Sequence, residues 1–138
     1  MSFTVRGEAA ANSSLTNLVA NFRRGVLGGG SAAIAIVVRR AQIGMINGPH
    51  SGIKYARLPN RSSAAGEYAA NQSGRMLGSI SGTNSLMQMR IQATAPHAGY
   101  LEYGTSRMAP RPVIENAVRD TEHEVYSVLG QFVWVAIR

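Results

Sequence analysis

Three histidines, His50, His97 and His123, are the residues best suited to acid–base or metal chemistry, and their placement argues against both. No H-x-x-x-H or H-x-H spacing joins them. Only His123 has carboxylates beside it, Glu122 and Glu124, and a helix turns those two neighbours to different faces. A solvated helix surface accounts for that trio. Gly28-Gly29-Gly30-Ser31 has the composition of a phosphate-cradling loop but neither its spacing nor its lysine, and it follows a helical pattern where such loops follow a strand. With no cysteine in the chain, thiol catalysis, disulfides and Cys-ligated metal or iron–sulfur centres are excluded. Asn12, Asn60 and Asn71 each open an N-x-[ST] triplet, which without a secretory leader is an accident of composition. The expectation is a chain that is not an enzyme and uses neither metal nor cofactor.

The residues point instead to binding. The chain carries 14 Lys+Arg against 7 Asp+Glu, and all but Lys54 of the basic residues are arginine. Arginine's planar fork suits phosphates and carboxylates, so the bias favours a nucleic acid or an acidic protein surface. The charge is uneven: Glu8 and Glu67 are the only acids before residue 101, whereas Glu102, Glu115, Asp120, Glu122 and Glu124 follow it. Lys54, Arg57 and Arg61 interleave with Tyr55 and Tyr68, a pattern that can pair with phosphate and stack on bases. No recognition-helix, single-strand-binding or zinc-finger pattern accompanies it, so any contact with nucleic acid is expected to be non-specific. These five residues and Trp134 are the candidate interface.

The elements that must hold these residues are read from periodicity. A length of 138 residues fits one domain. Phe3 and Val5 alternate with polar neighbours, giving a short strand over 2–8. Leu15, Leu18, Val19, Phe22 and Val26 have helical spacing behind Ser14 as a cap, and the triple glycine is expected to stop that helix. Ser31 then caps a second one, with Ile34, Val37, Val38, Ala41 and Met45 on its apolar face and Asn47-Gly48-Pro49 ending it. The pair forms either a helical hairpin or one long kinked helix. Residues 47–74, rich in Gly, Ser, Asn and Ala, read as an extended arm that orders against a neighbour, or as a plain surface loop. Residues 76–81 and 86–94 form a β-hairpin turning over 82–85, with Met87, Met89, Ile91 and Ala93 on the buried face. Pro112 opens a long amphipathic helix through Ile114, Ala117, Val118, Val125, Leu129, Phe132 and Ala136, with Glu115 and Arg119 spaced to pair. Its end, Phe132 to Ile137, is apolar nearly all round: it is either buried, the commoner outcome, or a sticky surface for a partner.

No uninterrupted apolar run approaches the roughly 18–20 residues of a membrane span; the longest, Ala32 to Val38, is closed by Arg39-Arg40. The N-terminus has no apolar h-region after a basic segment. A soluble protein made in the cytoplasm is expected, with no membrane contact.

The most distinctive stretch is 95–117, APHAGYLEYGTSRMAPRPVIENA. Glu102 lies between Tyr100 and Tyr103 and just before Gly104, which suits a turn needing positive φ. Arg107 and Arg111 are the nearest cations. A Glu102–Arg111 pair that fixes the turn against the last helix is therefore expected, and Glu102, Gly104, Arg111 and Pro112 read as structural.

Tyr100, Leu101, Glu102, Tyr103, Gly104, Thr105, Met108, Arg111, Pro112 and Ala117 together resemble the signature of a bacteriophage minor tail component family, whose members act as tail-completion or neck proteins. Residues 62–67 (SSAAGE) and 73–80 (SGRMLGSI) are similar to two upstream segments of that family, in the same order. Ser73 stands where the family prefers threonine, and the helix before it is Ala/Ile/Val/Arg-rich where the family places Lys and Glu. The resemblance implies a virion protein, assembled in the host cytoplasm, that forms a homo-oligomeric ring, a hexamer, in the phage neck. Such a ring meets a head-side connector on one face and the tail terminator or tail tube on the other, and genomic DNA passes through its lumen. Most arginines are then expected at protein interfaces, since a lumen densely lined with them would grip DNA; Arg57→Glu or Arg61→Glu should block joining and leave the fold intact. The competing reading is a basic, non-enzymatic DNA-associated protein. The fold expected from both lines of reasoning is α+β: a small antiparallel sheet packed against N-terminal helices and a long C-terminal helix, with a long extended loop or arm at 47–74.

Overall fold

The computed structural model describes residues 8–137, and the strand expected over 2–8 falls outside them but for Glu8, which already belongs to a helix. The fold is α+β. Its frame is two long helices, α1 (Glu8–Asn47) and α4 (Ile114–Ile137), with the short helices α2 (Arg75–Ser79) and α3 (Ala98–Tyr103) and one hairpin, β1 (Ile80–Asn84) and β2 (Met89–Ala93), between them in sequence. Along their contact Gly25 lies beside Ala136, Gly29 beside Leu129, and Arg40 beside Asp120, so α1 and α4 run antiparallel.

The triple glycine does not stop α1, which is one continuous helix of 40 residues, about 60 Å long. Ser14 and Ser31 sit inside it and cap nothing. The glycines serve packing. A Cβ on Gly25 would fall 2.5 Å from Ala136 Cβ and 2.9 Å from the Phe132 carbonyl oxygen, and one on Gly29 would lie 3.0 Å from Phe132 Cβ. Bare backbone there brings the two helices close, and the dispersion gained on that face offsets the helical propensity that glycine forfeits, about 1 kcal/mol each. Asn47-Gly48-Pro49 does end the helix, with Gly48 N–H donating to the Gly44 carbonyl.

As a single helix, Ala10–Asn47 is also long and apolar enough, by length and composition, to cross a membrane. Counting uninterrupted apolar runs misses this because glycine and serine, as in 28–31, break the run without adding charge. Its C-terminal half gives its most apolar face to α4 and the hairpin.

The hairpin is shifted from its expected register. Met76 belongs to α2, β1 begins at Ile80, and the turn is made by Ser85 to Gln88, with Gly82 opposite Ile91. Met87 is therefore at the tip, 96 % exposed, where it was expected to be buried; Ile91 and Ala93 do face the core. Gly82 lies against Ile34, and Asn84 donates to the Leu27 carbonyl at 2.7 Å, fixing β1 across the middle of α1.

The core gathers where α1, α4 and the intervening segments meet, around Val37, Ala41, Met45, Tyr68, Met76, Ile80, Val113 and Ala117. Residues 48–74 hold no helix or strand, as their composition predicts, but they are not an arm reaching outward. Gly52 and Ile53 pair with Ser62, Gly66 donates to Pro110, and Asn71 donates to Met45. The Glu67 carboxylate accepts from Ser51 N–H, Ser51 Oγ and Ala64 N–H, which cinches the loop. Within it Ser62, Ser63 and Ala69 are buried.

Candidate functional site

The distinctive stretch folds into one device. Glu102, the penultimate residue of α3, sets its carboxylate on the first turn of α4: Oε2 accepts from Val113 N–H at 2.8 Å and Ile114 N–H at 3.2 Å, and Oε1 accepts from Glu115 N–H at 2.7 Å. A helix leaves its first N–H groups without intrahelical partners and carries partial positive charge there, so a carboxylate satisfies donors and dipole together. The expected Glu102–Arg111 pair does not form. Arg111 instead donates its backbone N–H to Leu101 and points a guanidinium nitrogen at Met108 Sδ, 3.6 Å away. Three backbone donors at close range outcompete one guanidinium, whose buried Nε has no partner.

Gly104 makes the turn at φ 75°, as its place in the sequence predicts. A Cβ there would lie 2.7 Å from the Met108 carbonyl oxygen and 2.9 Å from Pro110 N. Thr105 and Met108 close a small bridge, Thr105 N–H to Met108 carbonyl at 2.8 Å. Pro112 is buried, and Val113, at 0 % exposure, seals the junction. Tyr100 and Tyr103 do not join this packing: Tyr103 is 84 % exposed.

The candidate interface residues separate into three groups. Tyr68 is buried. Its hydroxyl donates to Asp120 Oδ2 at 2.8 Å, and the Arg40 guanidinium, which grips the same oxygen at 2.7 Å, lies 5.7 Å from its ring centroid. This triad ties α1, the loop and α4 together, so Tyr68 is a structural residue. Burial, reinforced by Asp120, pushes the phenol up to about 12; the Arg40 hydrogen bond holds Asp120 below its usual range. Lys54 and Arg61 are spent on the loop, Lys54 on the Leu58 and Pro59 carbonyls and Arg61 on Gly52. Tyr55, Arg57 and Trp134 are exposed.

The histidines stay apart. His50 Nε2 is buried under the loop, His97 lines a cleft with Met45, Met76 and Leu101, and His123 is on the exposed face of α4. Among the described residues no three of His, Asp and Glu are grouped to hold a metal. Arg119 bonds Asn116 and not Glu115.

Sequence reasoning missed the largest feature. Leu15, Leu18, Val19 and Phe22, the apolar residues at helical spacing, are exposed, and so are Phe132 and Val135 at the end of α4, where burial was the commoner of the two expected outcomes. For the α1 residues the cause is length: α4 meets α1 as far as Gly25 and borders Asn21 and Arg24, and the rest of α1 overhangs it by roughly 20–25 Å. A second apolar strip, lined by Ile34, Val37, Met89, Ile91, Val118 and Val125, forms a groove between β2 and α4. Nothing in an amphipathic stripe says whether its cover comes from the same chain or another.

Compared with family models, curated proteins and solved structures, the chain has no match.

Proposed function

We propose that this chain is a structural component of a phage neck or tail, forming a ring that completes the tail and joins it to the head connector with DNA passing through the lumen. The observation that carries the reading is the convergence of the distinctive residues on one device. Glu102, Gly104, Thr105, Arg111 and Pro112, which resemble the tail-component signature, are the residues that set the angle at which α4 leaves the body. A ring protein needs that angle fixed, because a small error per subunit prevents closure. The exposed apolar surface on both long helices is too extensive for a protein without partners.

Its mechanism is positional. One annular face meets the connector and the other the tail terminator or tube; Arg57, exposed on the loop, is the candidate contact for an acidic partner. Arg61 is not a clean probe, since it holds Gly52. Arg57→Glu is expected to block joining with the fold intact. The decisive experiment is electron microscopy of lysates from the source phage with this gene removed. Filled heads lying apart from finished-length tails support the reading; normal infectious particles overturn it.

A second reading, a basic DNA-associated protein, is favoured by one observation: Arg23, Arg39, Arg57, Arg75, Arg90 and Arg107 are all exposed. Duplex affinity falling steeply with salt supports it.

A further inference from the structure

We infer that the overhanging tip of α1 docks into the groove between β2 and α4 of a second copy of this chain, a head-to-tail contact. This rests on the ring reading only for its closure.

The tip requires a cover. Leu15, Leu18, Val19 and Phe22 fall at helical spacing along the overhanging end of α1, and residues 10–20 are exposed throughout. A free helical end of this length is marginal in water, and its stability comes from burying such a stripe. The groove requires an occupant too. Met89 and Val118 on its rim are each about half exposed above Ile34 and Ile91.

The two surfaces match in shape and charge. A single ridge of i, i+3, i+4, i+7 side chains fits a groove walled by a strand and a helix. The tip side carries Arg23, in line with Leu15 and Val19. On α4 the exposed Glu122 stands four residues beyond Val118, one helical turn along from the groove wall. Arg24 adds a second positive charge on the tip, and Glu124 a second exposed carboxylate on α4; Arg40 and Asp120 are already paired within the chain.

Geometry forbids a chain from filling its own groove. Tip and groove lie on the same continuous helix, with Leu18 about 28 Å from Val37 along its axis. The tip must therefore enter a neighbour, whose own tip enters the next. Such a heterologous contact propagates until it closes.

Two full-length double variants test this. The tip variant carries Leu18→Asp and Phe22→Asp, the groove variant Met89→Asp and Val118→Asp, with circular dichroism to confirm that each stays helical. Sedimentation of wild type is expected to show assemblies larger than a dimer, and each variant alone a monomer. Mixing the two is expected to give a one-to-one heterodimer and nothing larger, because one intact tip and one intact groove remain between them. Should either double variant fail to fold, the charge pair decides: Arg23→Glu and Glu122→Arg each weaken assembly, and the two in one chain restore it. Wild type that is monomeric, a mixture that stays monomeric, or charge variants without effect overturns the inference, as does monomeric wild type that floats with anionic lipid vesicles, which would assign the tip to a bilayer. Head-to-tail assembly with normal particles from the gene-removed phage would leave this contact standing and remove the neck reading; the reverse pair of results would do the opposite.

Discussion

The Glu102 carboxylate lies across the N-terminal turn of α4, with Oε2 2.8 Å from the Val113 amide nitrogen and 11 residues away in sequence. The bond makes the start of one helix depend on the end of another. Caps are usually local, supplied by a Ser, Thr, Asp or Asn at the helix's own first residue. Here Pro112 and the buried Val113 occupy that region, and the anion comes from α3.

Glu102→Ala is expected to cost about 1–3 kcal/mol, the range for losing a cap together with charge-assisted bonds to partly buried donors. Glu102→Gln keeps an acceptor oxygen but loses the charge and one of the two oxygens, and should fall between Ala and wild type. Denaturant midpoints of the three proteins check the order. Equal midpoints would show that the cap adds nothing to stability.

Gly104→Ala should be at least as damaging, by a different route. The backbone there has φ 75°, and the added Cβ would press on the Met108 carbonyl and Pro110, both backbone atoms of a short bridge. Strain at such a position costs on the order of 1–3 kcal/mol. Thermal unfolding that leaves the midpoint within error of wild type would contradict it.

Two helical glycines should respond with opposite signs. Gly130 on α4 has open space around it, so Gly130→Ala is expected to stabilise by about 0.5–1 kcal/mol through propensity alone. Gly25→Ala gains the same propensity but drives a methyl into the Phe132 carbonyl and Ala136, and the helices must separate. Close packing makes the second effect larger, so the net change is destabilising. Paired chemical denaturation measures both.

The α+β class, the end of α1 at Asn47, the hairpin and the long last helix were legible because each follows from local period or from a Gly/Pro breaker. The triple glycine was misread for a physical reason: the same residue that ends an isolated helix permits close approach of another, and Gly25 to Gly30 meet Phe132 and Asn84. Glu102 was recognised as the fixing residue, but its partner was sought among charged side chains. Sequence shows cations and hides amide groups, so the Val113–Glu115 donors were invisible. Tyr68 was grouped with the interface because it lies in a Gly/Ser/Asn/Ala-rich stretch downstream of Lys54, Arg57 and Arg61; Gly44, which leaves room for its ring, lies on another element.

The loop should be pH-sensitive through Glu67. Its carboxylate is held below its usual range, first by the Ser51 hydroxyl and then by the Ala64 and Ser51 amides. A depressed pKa means that these bonds favour the ionised form, so the loop's closure is present above the ordinary carboxylate range and lost as pH falls below that range, through the lowered pKa. Glu67→Gln should mimic the acid state at neutral pH, accelerating proteolytic cleavage after Lys54 or Arg57. Unchanged cleavage would place the loop's order in its backbone pairs alone.

The Arg40–Tyr68–Asp120 triad gives stability two limits. Burial, with Asp120 beside it, pushes the Tyr68 phenol up to about 12, above the ordinary phenol value. The folded protein therefore holds that proton more tightly than the unfolded chain. Its contribution is complete below about pH 10 and disappears as pH rises toward 12. Asp120 works in the other direction: with its pKa lowered by the Arg40 hydrogen bond, its contribution is present above the ordinary carboxylate range and fades as pH falls. Arg40 is partly exposed, so solvent screening keeps the acid limb shallow. A tyrosinate absorbance titration should show one late step that Tyr68→Phe removes, and Tyr68→Phe should also flatten the alkaline fall in thermal midpoint. If the late step survives that substitution, the perturbed phenol is another tyrosine and the triad does not set the alkaline limit.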